Sequence, residues 1–164
     1  MRNPVVSSLA VCAALAFASA AWAQQPPPAP PYGPGLTLDV AKKAVEAAEA
    51  EAKKNGWRLA IAVVTIGGYL VHFSRIDDTQ FASNDIAVHK AKAAATFRRP
   101  TKAFQDGLTA NPPNLVLLTL DGVIASEGGI PLMSGGKIIG AIGCSGATSA
   151  QDGQACKAGA DTIK

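Results

Sequence analysis

The sequence predicts an α+β domain in which helices pack against a central antiparallel sheet. Two pairs of apolar, β-branched segments are each joined by a glycine-rich turn, Gly67-Gly68 in the first pair and Ser134-Gly135-Gly136 in the second. Short turns of this kind connect antiparallel strands, whereas parallel strands need a long crossover. Helical segments precede, separate and follow the two hairpins, which is typical of α+β domains.

The first helix and the first hairpin are the clearest elements. Thr37 is predicted to cap a helix that ends near Asn55, with Gly56 as its stop. Residues 58–66 and 69–75 are predicted to form the hairpin. Strict alternation along its second strand would place three side chains on each face of the sheet. One face would carry Tyr69, Val71 and Phe73, and the other Leu70, His72 and Ser74.

The middle of the chain is predicted to be mostly helical. Residues 83–97 form the second long helix, which either Ser83 or Asn84 can cap. Residues 101–108 are predicted to form a further short helix. Residues 115–120 are apolar and are compatible with either a strand or a short buried turn.

The C-terminal third is predicted to contain the second hairpin and the last helix. Its strands are residues 130–133 and 137–144. The last helix includes Gln151 and the residues that follow it. Ser149 is predicted to cap this helix, with Asp152 as its partner in a capping box.

The first 35 residues have the composition of an export signal followed by a spacer. Residues 1–23 combine a basic start, a short apolar run and an Ala-Trp-Ala end, which is typical of a cleaved signal peptide; the alternative is an uncleaved anchor. Residues 24–35 (QQPPPAPPYGPG) are predicted to be an extended tether, since proline cannot donate to a β-ladder. The folded domain would comprise residues 36–164, periplasmic or secreted, with no membrane span after cleavage.

Charge and cysteine content limit the possible functions. The chain has 15 basic and 12 acidic residues, and cleavage would remove Arg2, so the mature protein would be almost neutral. This balance does not resemble the basic surface of a nucleic-acid-binding protein. Cys144 and Cys156 would remain in an oxidising compartment, where they can form a disulfide or persist as two buried free thiols.

Several short motifs in the folded part form a pattern that is shared with a known family. The most specific ones are at residues 128–131 (GGIP), 136–143 (GKIIGAIG), 145–146 (SG), 151–152 (QD) and 158–160 (AGA). Earlier ones are at residues 73–77 (FSRID) and 85–95 (DIAVHKAKAAA). Together they resemble the GlcG/HbpS-like heme-binding family, which is related to the PduO C-terminal domain. The resemblance covers nearly all of residues 36–164.

The resemblance implies a profilin-like three-layer arrangement, with an antiparallel sheet of about five strands between helices, and assembly into homo-oligomers. It also implies heme binding in some members, including secreted sensors of heme and redox stress, while others have no known activity of their own. Cys144 stands where the common pattern has valine, and Cys156 where it often has a small residue. These departures suggest a disulfide-stabilised exported branch.

Histidines are the first candidates for a heme site, because iron in heme accepts histidine, methionine, cysteine or tyrosine ligands. His89 shares one face of the second long helix with Asp85, Lys92 and Thr96. This face can offer an axial metal ligand (His89), a weaker oxygen ligand (Thr96) and a cation for a propionate (Lys92); alternatively, it is an ordinary solvated helix face. His72 is a second candidate, or else a half-buried histidine under a helix.

Anion-binding groups are predicted at two other places. Arg75, near Asp77 and Asp78, can hold a carboxylate in a forked contact or form an internal salt bridge. The loop before the last helix can bind an anion through its backbone N–H groups, or can be a tight turn that needs glycine. Its candidate residues are Gly143, Ser145, Gly146 and Thr148. Arg98 and Arg99 can also meet propionates, or serve as cations at a helix C-terminus.

The candidate residues favour a binding protein over an enzyme, because no nucleophile elbow, carboxylate pair or metal triad is evident in the sequence. The leading hypothesis is an exported heme-binding protein that senses heme or redox state, or stores heme. One alternative is an accessory protein that binds small carboxylates for a periplasmic oxidation pathway. The other is a structural oligomer without a small ligand.

Overall fold

Four antiparallel strands form the central sheet of the computed structural model, which describes residues 28–163. These strands are β1 (Ala60–Thr65), β2 (Leu70–Arg75), β3 (Gly129–Ser134) and β4 (Lys137–Ser145). Their order across the sheet is β2-β1-β4-β3, so both predicted hairpins are present and β1 pairs with β4 at the centre. The predicted signal peptide and residues 24–27 lie outside the described part of the chain.

Four α-helices and one 3₁₀ helix complete the described fold. The α-helices are α1 (Leu38–Lys54), α2 (Ala82–Thr96), α3 (Lys102–Thr109) and α4 (Ser149–Ala160). The apolar segment whose structure the sequence left open is the 3₁₀ helix (Leu115–Thr119), most of whose side chains are exposed. Within residues 28–163, no helix combines the length and apolarity that a membrane crossing requires.

The helices cover the two faces of the sheet and produce the predicted three layers. On one face, α1 and α4 pack against inward residues of β1 and β4, such as Val63 and Ile142. On the other face, α2 packs its alanines against residues that include Val64 and Ala141. Small side chains allow this helix to lie close to the sheet: a Cβ at Gly143 would collide with the carbonyl of Ala87.

The predicted count of about five strands is wrong for the described residues, which form four. What lies closest to a fifth strand is a single parallel bridge between Tyr32 and Ile138 of β4. Pro31 and Pro34 flank this bridge, and neither has a backbone N–H to donate. A longer ladder therefore cannot form. The second half of the proline-rich segment nevertheless packs on the domain through backbone hydrogen bonds to β4.

The predicted alternation along β2 is wrong because a bulge interrupts it. Pairing with β1 shifts between Val63 and Val64, so β2 has one extra residue there. Val71 consequently packs with the α1 layer, whereas Phe73 packs on the opposite face with Ala87 of α2.

Two of the predicted helix caps are also wrong. The residue before α2 is Phe81, which makes no side-chain cap, while Ser83 is buried and its hydroxyl accepts a hydrogen bond from Ser145. The cap of α4 is Thr148, which forms the capping box with Gln151. The side chain of Asp152 is thereby free for a different role. By contrast, Thr37 caps α1 as predicted.

Candidate functional site

The outer face of α2 presents a row of polar side chains to solvent. Asp85, His89, Lys92 and Thr96 are all exposed, as their helical spacing predicts. No salt bridge joins Asp85 to His89 within residues 28–163, and no hydrogen bond to the His89 imidazole is found there. The imidazole nitrogens are therefore available to an external group.

A groove runs between α2 and the loop that follows the 3₁₀ helix. His89 and Lys92 line one side, and the loop residues 121–124 line the other. The groove has a volume of about 380 Å³, which lies within the range of ligand pockets. Val123 and Ile124 add two apolar residues to the loop side, while Asp121 adds one carboxylate.

Lys92 and Thr96 are linked to each other and to the first hairpin. The Thr96 hydroxyl donates to the carbonyl oxygen of Lys92 at 2.9 Å, so its lone pairs still point outward. The aliphatic stem of Lys92 lies against the Gly68 turn, where a Cβ would come within 2.7 Å of its Cγ. This packing fixes the stem and leaves the ammonium at the edge of the groove.

His72 lies on the opposite side of the sheet from this groove. It pairs with Val63, whose side chain belongs to the α1 layer, and its charge acts on Glu49 of α1. The hydroxyl of its neighbour Ser74 also donates to the Glu49 carboxylate. His72 and His89 therefore do not share a site.

A pH dependence of stability follows from Glu49. Burial is the largest effect on its carboxyl and raises the pKa, but hydrogen bonds from Ser74 and Lys53, with the charges of Lys53 and His72, outweigh it. The pKa therefore lies below its ordinary value of 4.5. A depressed pKa stabilises the fold above the unfolded-state value, and this stabilisation is lost as the pH falls through the folded-state pKa.

We expect Glu49→Gln to lower the free energy of unfolding at neutral pH, and the difference from wild type to shrink as the pH falls below about 4.5. Urea unfolding across the acid range measures this. Glu46→Gln, an exposed change on the same helix, serves as the control and should show no such trend. A difference that stays constant into strong acid would contradict the assignment.

Arg75 contacts Thr79 and Phe81, which follow it in the chain, rather than the carboxylates of Asp77 and Asp78. Its Nη2 donates to the carbonyl oxygen of Thr79, and its guanidinium lies 4.8 Å from the ring centroid of Phe81. Asp78 is instead 3.9 Å from Arg58, in an exposed pair. Arg75 thus lies near the start of α2, away from Lys92 and the groove.

The glycine-rich loop before α4 binds a carboxylate of the protein itself, that of Asp152. The Asp152 carboxylate accepts a hydrogen bond from the N–H of Ala147 at 3.0 Å. The N–H of Thr148 donates to Gln151 in the capping box. Gly146, at φ +145°, allows the loop to pass close to the carbonyl of Arg58, where a side chain would not fit. Of the predicted anion-binding residues, Gly146 and Thr148 belong to this tight turn beside Asp152, whereas Gly143 and Ser145 are residues of β4.

The other oxygen of Asp152 forms a buried ion pair with Lys90 of α2. The Lys90 Nζ lies 2.8 Å from Asp152 Oδ2 and 2.7 Å from the carbonyl oxygen of Glu127, and the two side chains are only 2% and 4% exposed. Burial raises the pKa of Asp152, and the Lys90 ammonium with the N–H groups of Ala147 and Gly146 opposes that rise. The sequence analysis missed this pair, although Lys90 interrupts the alanine face of α2.

Cys144 and Cys156 are joined in a disulfide between β4 and α4. Both residues are completely buried, and their Cα atoms are 5.7 Å apart. The bridge spans 12 residues and closes the loop that surrounds Asp152. The disulfide and the ion pair therefore both anchor the segment between Cys144 and Cys156.

A four-stranded sheet between helix layers, with a histidine-bearing groove along α2, defines a small single-sheet α+β domain. Residues 36–161 match the family model described as "Haem degrading protein HbpS-like". The protein GlcG of Escherichia coli K12 is 39% identical over 110 residues, which cover 67% of this chain and 81% of GlcG. The chain belongs to the HbpS-like family.

Solved structures agree with this assignment. A double mutant of HbpS from Streptomyces reticuli superposes with a TM-score of 0.73 and 27% identity, covering 98% of this chain and 99% of that chain. A structure described as a PduOC:heme complex superposes with a TM-score of 0.71 and covers 79% of this chain and 96% of that chain. At 22% identity, this second likeness shows the fold alone.

Proposed function

We propose that the protein binds heme in the groove between α2 and residues 121–124. The observation that carries the proposal is the exposed His89 imidazole, which has no hydrogen-bond partner within residues 28–163 and lines the same groove as Val123 and Ile124. The donor set fits heme, since a neutral histidine nitrogen is an ordinary axial ligand of its iron. The iron and porphyrin would supply the redox and spectroscopic properties.

The remaining groove residues take complementary roles. Val123 and Ile124 remove part of an apolar ligand from water, and the Lys92 ammonium is placed to pair with a carboxylate on it. Thr96 offers a hydroxyl one turn further along the same face. Asp121 disfavours a second carboxylate on its own side of the groove, which gives the bound ligand one preferred orientation.

The relatives support the same proposal. The family model is described as a haem-degrading protein, and the PduOC structure is described as a heme complex. The small-carboxylate alternative has weaker support, because Arg75 and the loop before α4 donate hydrogen bonds to groups within the protein. Export remains part of the proposal and rests on the signal-like residues 1–23, with heme or redox sensing, or storage, as its role outside the cytoplasm.

Self-association is a further part of the proposal. Several large apolar side chains remain exposed, and exposed apolar patches commonly mark interaction surfaces. They include Leu115, Val116 and Leu118 of the 3₁₀ helix, and Tyr69, Leu70 and Phe81 beside the edge strand β2. Sedimentation of the mature protein would measure whether these surfaces form a homo-oligomer.

A hemin titration of residues 24–164, followed by absorbance, tests the heme proposal. We expect a saturable shift of the Soret band that is lost or displaced in His89→Ala, because the axial nitrogen would be missing. His72→Ala is the matched control and should leave the spectrum unchanged, since His72 lies across the sheet. Absence of a saturable shift in wild type would refute heme binding, and an unchanged His89→Ala spectrum would refute the ligand assignment.

A further inference from the structure

The segment Pro31–Leu36 forms a strap over the start of the central strand β4, where β4 has no pairing with β1. The N–H of Ile138 donates to Pro31 at 2.9 Å, and the N–H of Gly33 donates back to Ile138 at 2.8 Å. The N–H of Leu36 then donates to Ile139 at 3.1 Å. Because β1 pairs with β4 only as far as Gly140, the strap covers backbone groups that would otherwise form an open edge.

Tyr32 extends from the strap to the C-terminal end of α2. Its hydroxyl lies 3.1 Å from the carbonyl oxygen of Ala95 and 3.2 Å from that of Thr96. The last four carbonyls of a helix have no partner within the helix, so an outside donor is needed there. The strap thus supplies a cap that α2 lacks in its own sequence.

The same tyrosine supports a strained residue. Arg98 has a φ of +54°, a left-handed conformation that is unfavourable for a side chain with a Cβ. Its guanidinium lies 5.5 Å from the centroid of the Tyr32 ring, within the range of a cation–π interaction. Tyr32 therefore fixes both the carbonyls of the last turn and the direction of the cation that follows it.

This last turn also belongs to the candidate ligand face. Thr96 donates to the carbonyl of Lys92, so a cap on Thr96 acts on the turn that carries the Lys92 ammonium. We propose that Tyr32 is a positioning residue, through which the strap holds the Lys92 cation in place for a carboxylate of a ligand in the groove. The ligand half of this proposal rests on the heme function proposed above, whereas the strap itself does not.

Amide hydrogen exchange in the ligand-free protein tests the strap. Tyr32→Phe keeps the ring and removes one hydrogen-bond donor, so exchange at Ile138 and Arg99 should accelerate by about 2- to 12-fold. Tyr69→Phe is the matched control, because Tyr69 is 77% exposed and its hydroxyl makes no hydrogen bond within residues 28–163. Equal exchange in both variants would overturn the role of the Tyr32 hydroxyl in holding the strap against α2.

Comparison of hemin with its dimethyl ester tests the positioning role. Tyr32→Ala should weaken hemin binding about 2- to 5-fold, which is the range for one exposed charge pair. The ester lacks the carboxylates, so its affinity should be the same in the variant and in wild type. An equal loss for both ligands would indicate a purely structural role and overturn the positioning proposal. If wild type binds neither ligand, the heme function fails, while the exchange measurement still decides the strap.

Discussion

Replacing Lys90 with methionine is expected to lower the free energy of unfolding by about 3–5 kcal/mol. The change removes one partner of a buried pair and leaves the Asp152 carboxylate, 4% exposed, without its counter-ion. Methionine has a similar length, so lost packing contributes little. Urea unfolding measures the effect as a lower midpoint at an unchanged slope.

A double-mutant cycle and an exposed control sharpen this test. Asp152→Asn should also lower the free energy of unfolding. The double variant should lose less than the sum of the two single losses, because it buries no unpaired charge. Lys102→Met breaks an ion pair with Asp106 whose side chains are 51% and 58% exposed, and it should leave the stability almost unchanged, because solvent screens an exposed pair. A similarly small effect for Lys90→Met would show that the buried pair is not needed.

Removal of the disulfide is expected to produce the second large effect. Cys144→Ala combined with Cys156→Ala opens a loop of 12 residues, for which chain entropy gives roughly 3 kcal/mol. The melting temperature should fall by roughly 10 °C. Both cysteines are buried, so the small gaps left by alanine add to the loss.

Reductant provides the internal control for this prediction. Wild type unfolded and refolded with reductant should match the double variant, whose own midpoint should not respond to reductant. Mass spectrometry of the untreated protein should show Cys144 linked to Cys156. Two alkylatable thiols in the native, non-reduced protein would contradict the bridge.

Patterns within single elements predicted most of the fold. Thr37 caps α1, the glycine turns join both hairpins, and alanine-rich helices lie close to the sheet as expected. The exposed face of α2 with His89 and Lys92 also follows from helical spacing alone. These features depend on residues that are close in the sequence, so the local sequence is enough to predict them.

Most of the errors occurred where one segment meets a distant one, and the cap of α4 was misplaced by one residue. The bulge at Val71 depends on how β2 pairs with β1, and the role of Asp152 depends on Lys90, 62 positions earlier. A capping pattern cannot reveal this, because Ser149 and Thr148 are both plausible caps in sequence. Only the packed structure shows which one takes the position.

The sequence by itself determined the fold class, the paired hairpins, the family resemblance and the polar face around His89. The tertiary structure decided the partners: Asp152 accepts a hydrogen bond from the loop that was predicted either to bind an anion or to form a tight turn, and Tyr32 ties a proline-rich segment to α2. The physical reason is that burial and hydrogen bonding between distant segments are satisfied only once the layers pack together. Local preference selects the elements, and long-range packing selects which of their polar groups remain free for a ligand.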